Sequence, residues 1–152
     1  MIDERKRKKL ILEHSRRLNN GDVDGLLALY ADDVAFEDPV GSGRRTGLAA
    51  LRAHFENGVE ARTRELPGEP VAGQDGHHAL VPVTAVMDYL PKGADFAERG
   101  WLTAPANPAA ARLRCDYVLM IRTGRTGLIE ELRAFWGRSD LELTHLGGDH
   151  AG

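Results

Sequence analysis

Asp38 is the residue around which chemistry is most readily built. It ends the segment Val34-Ala35-Phe36-Glu37-Asp38-Pro39, whose two-residue period puts Asp38 on one face with Val34 and Phe36 and sends Ala35 and Glu37 to the other. If that apolar face looks inward, a carboxylate stands at the mouth of an apolar cavity. Lost hydration then raises its pKa and suits it to proton transfer near neutral pH. The competing reading makes Asp38 a turn former before Pro39, its oxygens held by nearby backbone amides. Glu65 is a second carboxyl, and a strand there would pair it with Thr63 and turn Arg62 and Arg64 away; from the residues alone it reads rather as a solvated charge in an Arg/Glu-rich stretch. His14 shares a helical stripe with Leu10, Ile11 and Leu18, the usual setting of a core histidine. Asp116 sits mid-strand, where an isolated charge is costly unless paired or protonated, and Arg114 on the same face is its obvious partner. Phe96 and Trp101 either line a ligand pocket or pin a loop, and Tyr89 and Trp136 read as core or rim.

The elements that must position these side chains follow from periodicity. Leu10, Ile11, His14 and Leu18 mark a helix from about Asp3 to Leu18, stopped by Asn19-Asn20-Gly21. Asp22 caps a second helix from Val23 to about Tyr30. Val34 to Pro39 is a short strand, and a third helix runs from Leu48 to about Ala61. Thr63 to Leu66 is a weak strand. Three long strands follow, His78 to Leu90, Arg112 to Arg122 and Leu128 to Trp136, with a loop expected from Pro91 to about Ala111. Beyond the apolar residues Leu141, Leu143 and Leu146, a flexible tail is expected. Helices first and long strands later argue an α+β domain, with a bent, mostly antiparallel sheet wrapped over helices.

Composition sets the limits. The chain has 152 residues, 20 Lys+Arg against 23 Asp+Glu, and one cysteine. That length fits one domain. The balance of charge offers no basic field for nucleic acid, and no apolar run approaches the roughly 18 residues of a membrane span. The charged N-terminus lacks the pattern of a signal peptide, so a cytoplasmic protein is expected. A lone Cys115 excludes an internal disulfide. No Gly-rich phosphate loop follows a strand and no spacing matches a metal site, which leaves cofactor-free acid/base chemistry as the enzyme class.

From Leu18-Asn19-Asn20-Gly21-Asp22, through Tyr30-Ala31-Asp32-Asp33, to Glu37-Asp38-Pro39-Val40-Gly41, the chain resembles ketosteroid isomerase-like proteins of the NTF2/SnoaL-like superfamily. The resemblance implies a cone of three helices on a curved sheet around an apolar pocket, commonly paired as a homodimer through the open face of the sheet. It also implies a general base at Asp38, with donors at the positions of His14 and Asp116. A narrower resemblance rests on Leu12-Glu13-His14-Ser15-Arg16-Arg17, Leu51-Arg52-Ala53-His54, Glu69-Pro70-Val71-Ala72-Gly73-Gln74-Asp75, Val86-Met87-Asp88-Tyr89-Leu90-Pro91 and Ala97-Glu98-Arg99-Gly100-Trp101-Leu102. These blocks are similar to the epoxide hydrolase/cyclases of polyether ionophore biosynthesis, of the monensin, lasalocid and salinomycin type. That resemblance implies Asp38 and Glu65 as an acid/base pair and a polyether or polyepoxide substrate. Tyr89, Phe96 and Trp101 are candidates for the apolar lining around that substrate, with His14 and Asp116 expected beside them and no metal or cofactor. The alternatives are a steroid- or polyketide-type double-bond isomerase, a dehydrative pyran-forming variant, and a non-catalytic binder of an apolar ligand.

Overall fold

A computed structural model describes residues 2–145; the tail expected to be flexible from about residue 146 lies outside them. The chain runs α1 (Glu4–Asn19), α2 (Val23–Leu27), β1 (Tyr30–Glu37), β2 (Arg45–Thr46), α3 (Leu48–Glu60), β3 (Arg64–Pro67), β4 (Val71–Ala72), β5 (His78–Asp88), α4 (Lys92–Glu98), β6 (Ala111–Thr123), β7 (Ile129–Phe135) and β8 (Leu141–His145). This is the α+β order read from the sequence, with an open mixed sheet ordered β2-β1-β7-β6-β5-β3, β4 also on β5 and β8 also on β6. Only the β1–β7 pairing is parallel among those described.

Helix α1 begins at Asp3, whose carboxylate accepts the Lys6 N–H at 2.8 Å. It buries Ile11, His14, Ser15 and Leu18, the spacing of a single face, so two polar side chains are carried inward with the apolar ones. The buried Arg7 fastens this helix to the sheet by donating to the carbonyls of Gly73 and His78 at 3.1 and 2.7 Å. In α3, Leu51 and Phe55 face inward and join Ile11, Phe36, Val81 and Ile121 in the larger of two apolar clusters. Each such side chain, fully buried, stabilises the fold by about 1.5–3 kcal/mol.

The strands β5 and β6 pair along eleven registered positions, from His78 with Arg122 to Asp88 with Arg112. On β6, Leu113, Cys115, Leu119 and Ile121 are buried toward the helices, while Arg114, Asp116 and Val118 are exposed on the opposite face. The edge of β6 is divided: Ala111–Cys115 pairs with β8 and Val118–Thr123 with β7.

Three expectations change. Helix α2 stops at Leu27, because the Leu29 carbonyl accepts the Ile129 N–H at 2.9 Å and Tyr30 pairs with Ile129, capturing the chain as β1. The segment from Pro91 to Ala111, expected as a loop, contains α4. Its Gly93 lies against the Tyr89 ring so closely that a Cβ would fall 2.1 Å from it. Leu141 and Leu143 belong to β8 and are part of the sheet.

Candidate active site

A cavity of about 360 Å³ opens among α1, α3, α4 and the inner faces of β1, β3, β6 and β7, and both Asp38 and Glu65 line it. Its floor is apolar, with Leu18, Phe36, Leu119 and Leu132, and Phe96 and Trp101 form one wall.

Asp38 follows β1 and is half-buried. His54 Nε2, from α3, lies 3.0 Å from its Oδ2, and the Trp136 indole N–H, just past β7, donates to its Oδ1 at 2.8 Å. Burial raises its pKa, but the hydrogen bond and charge of His54, the Lys92 charge and the Trp136 bond outweigh this and bring it down to about 2. The raised pKa expected from an apolar setting is therefore corrected: the pocket wall carries donors that hold Asp38 as an anion. The turn-forming part falls instead to Glu37, whose Oε2 accepts the N–H groups of Gly41 and Gly43 at 2.9 and 3.2 Å.

Glu65 is buried on β3. Ser15 Oγ donates to its Oε1 at 2.8 Å, and the Tyr117 hydroxyl makes a short bond to Oε2. The Asn19 side chain brackets its backbone, accepting the Glu65 N–H at 2.6 Å and donating to its carbonyl at 2.8 Å. Burial raises the Glu65 pKa; the Tyr117 and Ser15 bonds oppose this, and the Asp38 charge adds to it. Arg62 points away, onto Asp88 at 2.6 and 2.8 Å.

His14 is buried, with Nε2 on the Tyr30 hydroxyl and Nδ1 4.0 Å from Glu65 Oε1. That Nδ1 has no hydrogen-bond partner among the described residues. Burial, with the nearby His54 charge, lowers its pKa to about 3, so the imidazole is neutral. Phe96, Trp101 and Trp136 pack as a triad with ring centroids 5.4–5.6 Å apart.

Two expected site residues lie elsewhere. Tyr89 is buried beneath α4 with Met87 and Leu113 rather than on the cavity, because Gly93 lets that helix close over its ring. Asp116 is on the outer face of the sheet, accepting from Thr84 Oγ1 at 2.8 Å with Arg114 at 3.5 Å. Strand alternation presents the Tyr117 hydroxyl to the cavity in its place.

Sequence reasoning missed His54, Trp136, Tyr117, Ser15 and Asn19 as site groups. His54 had a signal, since it stands three residues after Leu51 and beside Phe55 on the inner stripe of α3. Cys115 also lines the cavity, but burial pushes its thiol up to about 12, so it is an inert wall group. Among the described residues no group of three or more His, Cys, Asp or Glu is arranged to hold a metal, and no helix is long and apolar enough to cross a membrane.

Comparison with known proteins identifies the family of this fold. Residues 11–132 match the family model of the SnoaL-like domain. Epoxide hydrolase LasB of Streptomyces lasalocidi is 52% identical over 143 residues, covering 93% of this chain and 51% of that protein, so the chain spans about half the length of this curated relative. The solved structure of SalBIII, an epoxide hydrolase/cyclase-like enzyme described in pyran ring formation in polyether salinomycin, superposes with a TM-score of 0.79. It is 32% identical and covers 95% of this chain and 100% of that one. RV0760c from Mycobacterium tuberculosis, solved with estradiol-17beta-hemisuccinate, shares the fold at 20% identity and a TM-score of 0.69, covering 88% and 95%. The chain belongs to the SnoaL-like family of NTF2-like α+β domains.

Proposed function

We propose that this chain, as one domain, is an epoxide-opening cyclase that forms cyclic ether rings in a polyether polyketide by general acid/base catalysis. The observation that carries the reading is that two carboxyls line one cavity with opposite proton preferences, Asp38 as the anion and Glu65 as the acid. The relationship to LasB and SalBIII supports the substrate class.

In the proposed step, Asp38 takes the proton of an internal hydroxyl as its oxygen attacks an epoxide carbon. The new C–O bond forms as the strained epoxide C–O bond breaks, and the departing oxygen takes the Glu65 proton. Substrate and product are isomers; proton exchange with solvent returns Asp38 to the anion and Glu65 to the acid. Burial raises the Glu65 pKa and the Asp38 charge adds to it, so the anion favours the acid form beside it. The cavity contributes by folding a flexible chain into a reactive conformer, with Phe96 and Trp101 as its aromatic wall and the neutral His14 beside Glu65 as a polar contact. The dehydrative variant would use the same pair, with Glu65 protonating a departing hydroxyl.

The test uses a synthetic bisepoxide alcohol with product detected by mass spectrometry. Asp38→Asn and Glu65→Gln should each lower kcat by at least about a hundredfold, the lower end of what a positioned acid or base contributes, with circular dichroism unchanged. Normal turnover by either folded variant refutes the mechanism. We further propose a cytoplasmic homodimer paired through the outer sheet face, where Leu66, Val118 and Phe135 are 51%, 38% and 40% exposed.

A further inference from the structure

The cavity that holds the two carboxyls also carries cations that the acid/base step does not use. Arg44, Arg45, Lys92 and Arg99 all line it. Arg99 is paired with Asp95 at 2.9 Å, and Arg44 reaches Glu131 only at 4.0 Å. Arg45 and Lys92 have no carboxylate within ion-pair distance among the described residues. Arg45 lies over the Phe36 ring at 5.0 Å, with its guanidinium exposed. Lys92 is half-buried, and its charge acts on Asp38, His54 and Glu65 alike. Arg45 also acts on His54, and both cations line the same cavity.

A half-buried ammonium gives up hydration and needs a counter-charge to recover it. Asp38 is occupied by His54 and Trp136, and Glu65 by Ser15 and Tyr117. Neither carboxyl comes close enough to pair with Lys92. An arginine stacked on an aromatic ring keeps its planar donor fork free for an incoming oxyanion, which it can hold by two parallel bonds. Apolar side chains, Phe36, Phe96, Leu119 and Leu132 among them, share the lining with polar ones, so a matching ligand combines an apolar chain with an anionic end.

We propose that Arg45 and Lys92 form an anion-binding subsite that grips a terminal oxyanion of the substrate, a carboxylate or a phosphate, and so fixes which stretch of the chain reaches Asp38 and Glu65. This deepens the cyclase reading and rests on it only for the identity of the chain being held.

Because both tryptophans of the chain, Trp101 and Trp136, line the cavity, binding is read from their fluorescence without turnover, with thermal shift as a second measurement. The probes are decanoate, decyl phosphate and decanol at pH 7.5. One charge-assisted pair is worth about tenfold in affinity. Decanoate or decyl phosphate should therefore bind at least about tenfold tighter than decanol. Arg45→Met and Lys92→Met should each lose that advantage, while decanol affinity changes less than about twofold. Whichever anion binds better identifies the head group. Equal affinity for decanol and both anions overturns the proposal, as does equal loss of all three probes in the variants or no binding by either measurement. A wild type that binds decanoate selectively yet leaves the bisepoxide unchanged would sink the cyclase reading and leave the subsite standing.

Discussion

The donors on Asp38 make a quantitative claim about the acid limb of the pH–rate profile. Asp38 is held at about 2, against an ordinary 3.8, although burial alone would raise it. Hydrogen bonds to a charged group are worth roughly 1.5–3 kcal/mol each, or about one to two pH units apiece. Replacing both donors with rings that lack them, His54→Phe with Trp136→Phe, should therefore carry the Asp38 pKa from about 2 to somewhere near 4–6. A base works only when deprotonated. The wild type should thus lose no kcat/KM to Asp38 protonation as pH falls to 4, and the double variant should lose activity tenfold per unit below its new pKa. Each single variant should fall between. The assay is cyclisation of the bisepoxide alcohol across pH 4–8, with circular dichroism at each pH to show that the fold survives. A folded double variant that keeps its full activity at pH 4, without even the roughly twofold loss that a pKa of about 4 gives, would refute the account of Asp38 as a base kept ionised by these two partners.

The other expectations concern Glu65, Asp116 and the outer face. Glu65 has a raised native pKa, so its contribution to stability is full below the ordinary 4.5 and is lost as pH rises through the native value. Glu65→Gln should accordingly gain on the wild type in Tm as pH rises from 4 to 8, and parallel Tm curves would count against a protonated Glu65. Asp116→Asn should leave kcat/KM within about twofold, as exposed substitutions away from a site do; a hundredfold loss would return Asp116 to the mechanism. Val118→Lys with Phe135→Lys should turn a dimer into a monomer by size-exclusion chromatography with light scattering, and a wild type that is already monomeric at micromolar concentration would remove the dimer.

How much of this was legible in the sequence depended on whether the information was local. Asp38 could be singled out because strand alternation fixes which way it points relative to its immediate neighbours, Glu65 came forward only through the family resemblance, and α1 showed its inward face through Ile11, His14 and Leu18. What alternation cannot supply is which neighbouring element lies opposite. Trp136 is far from Asp38 in the chain, so its indole N–H reads as core until β7 is laid beside β1. The Asp38 pKa was expected to move up for the same reason: burial can be inferred from apolar neighbours, but the donors that reverse its effect arrive from α3 and from beyond β7. Asp116 and Tyr117 differ by one residue, and a one-residue shift on a strand exchanges cavity for solvent. Tyr89 was misplaced because α4 was read as a loop, and without that helix nothing covers the ring.

The two carboxyls have different owners. Glu65 is bolted to α1 through Ser15 and Asn19, whereas Asp38 is bolted to α3 through His54 and to the end of β7 through Trp136. The two carboxyls are thus each tied to a different helix, and those helices meet where the His14 and Phe55 rings touch edge-on at 5.5 Å. The gap between acid and base is then a property of helix seating. On the proposed cyclase reading, ring size would be retuned at that contact of aromatic rings, with neither carboxyl altered.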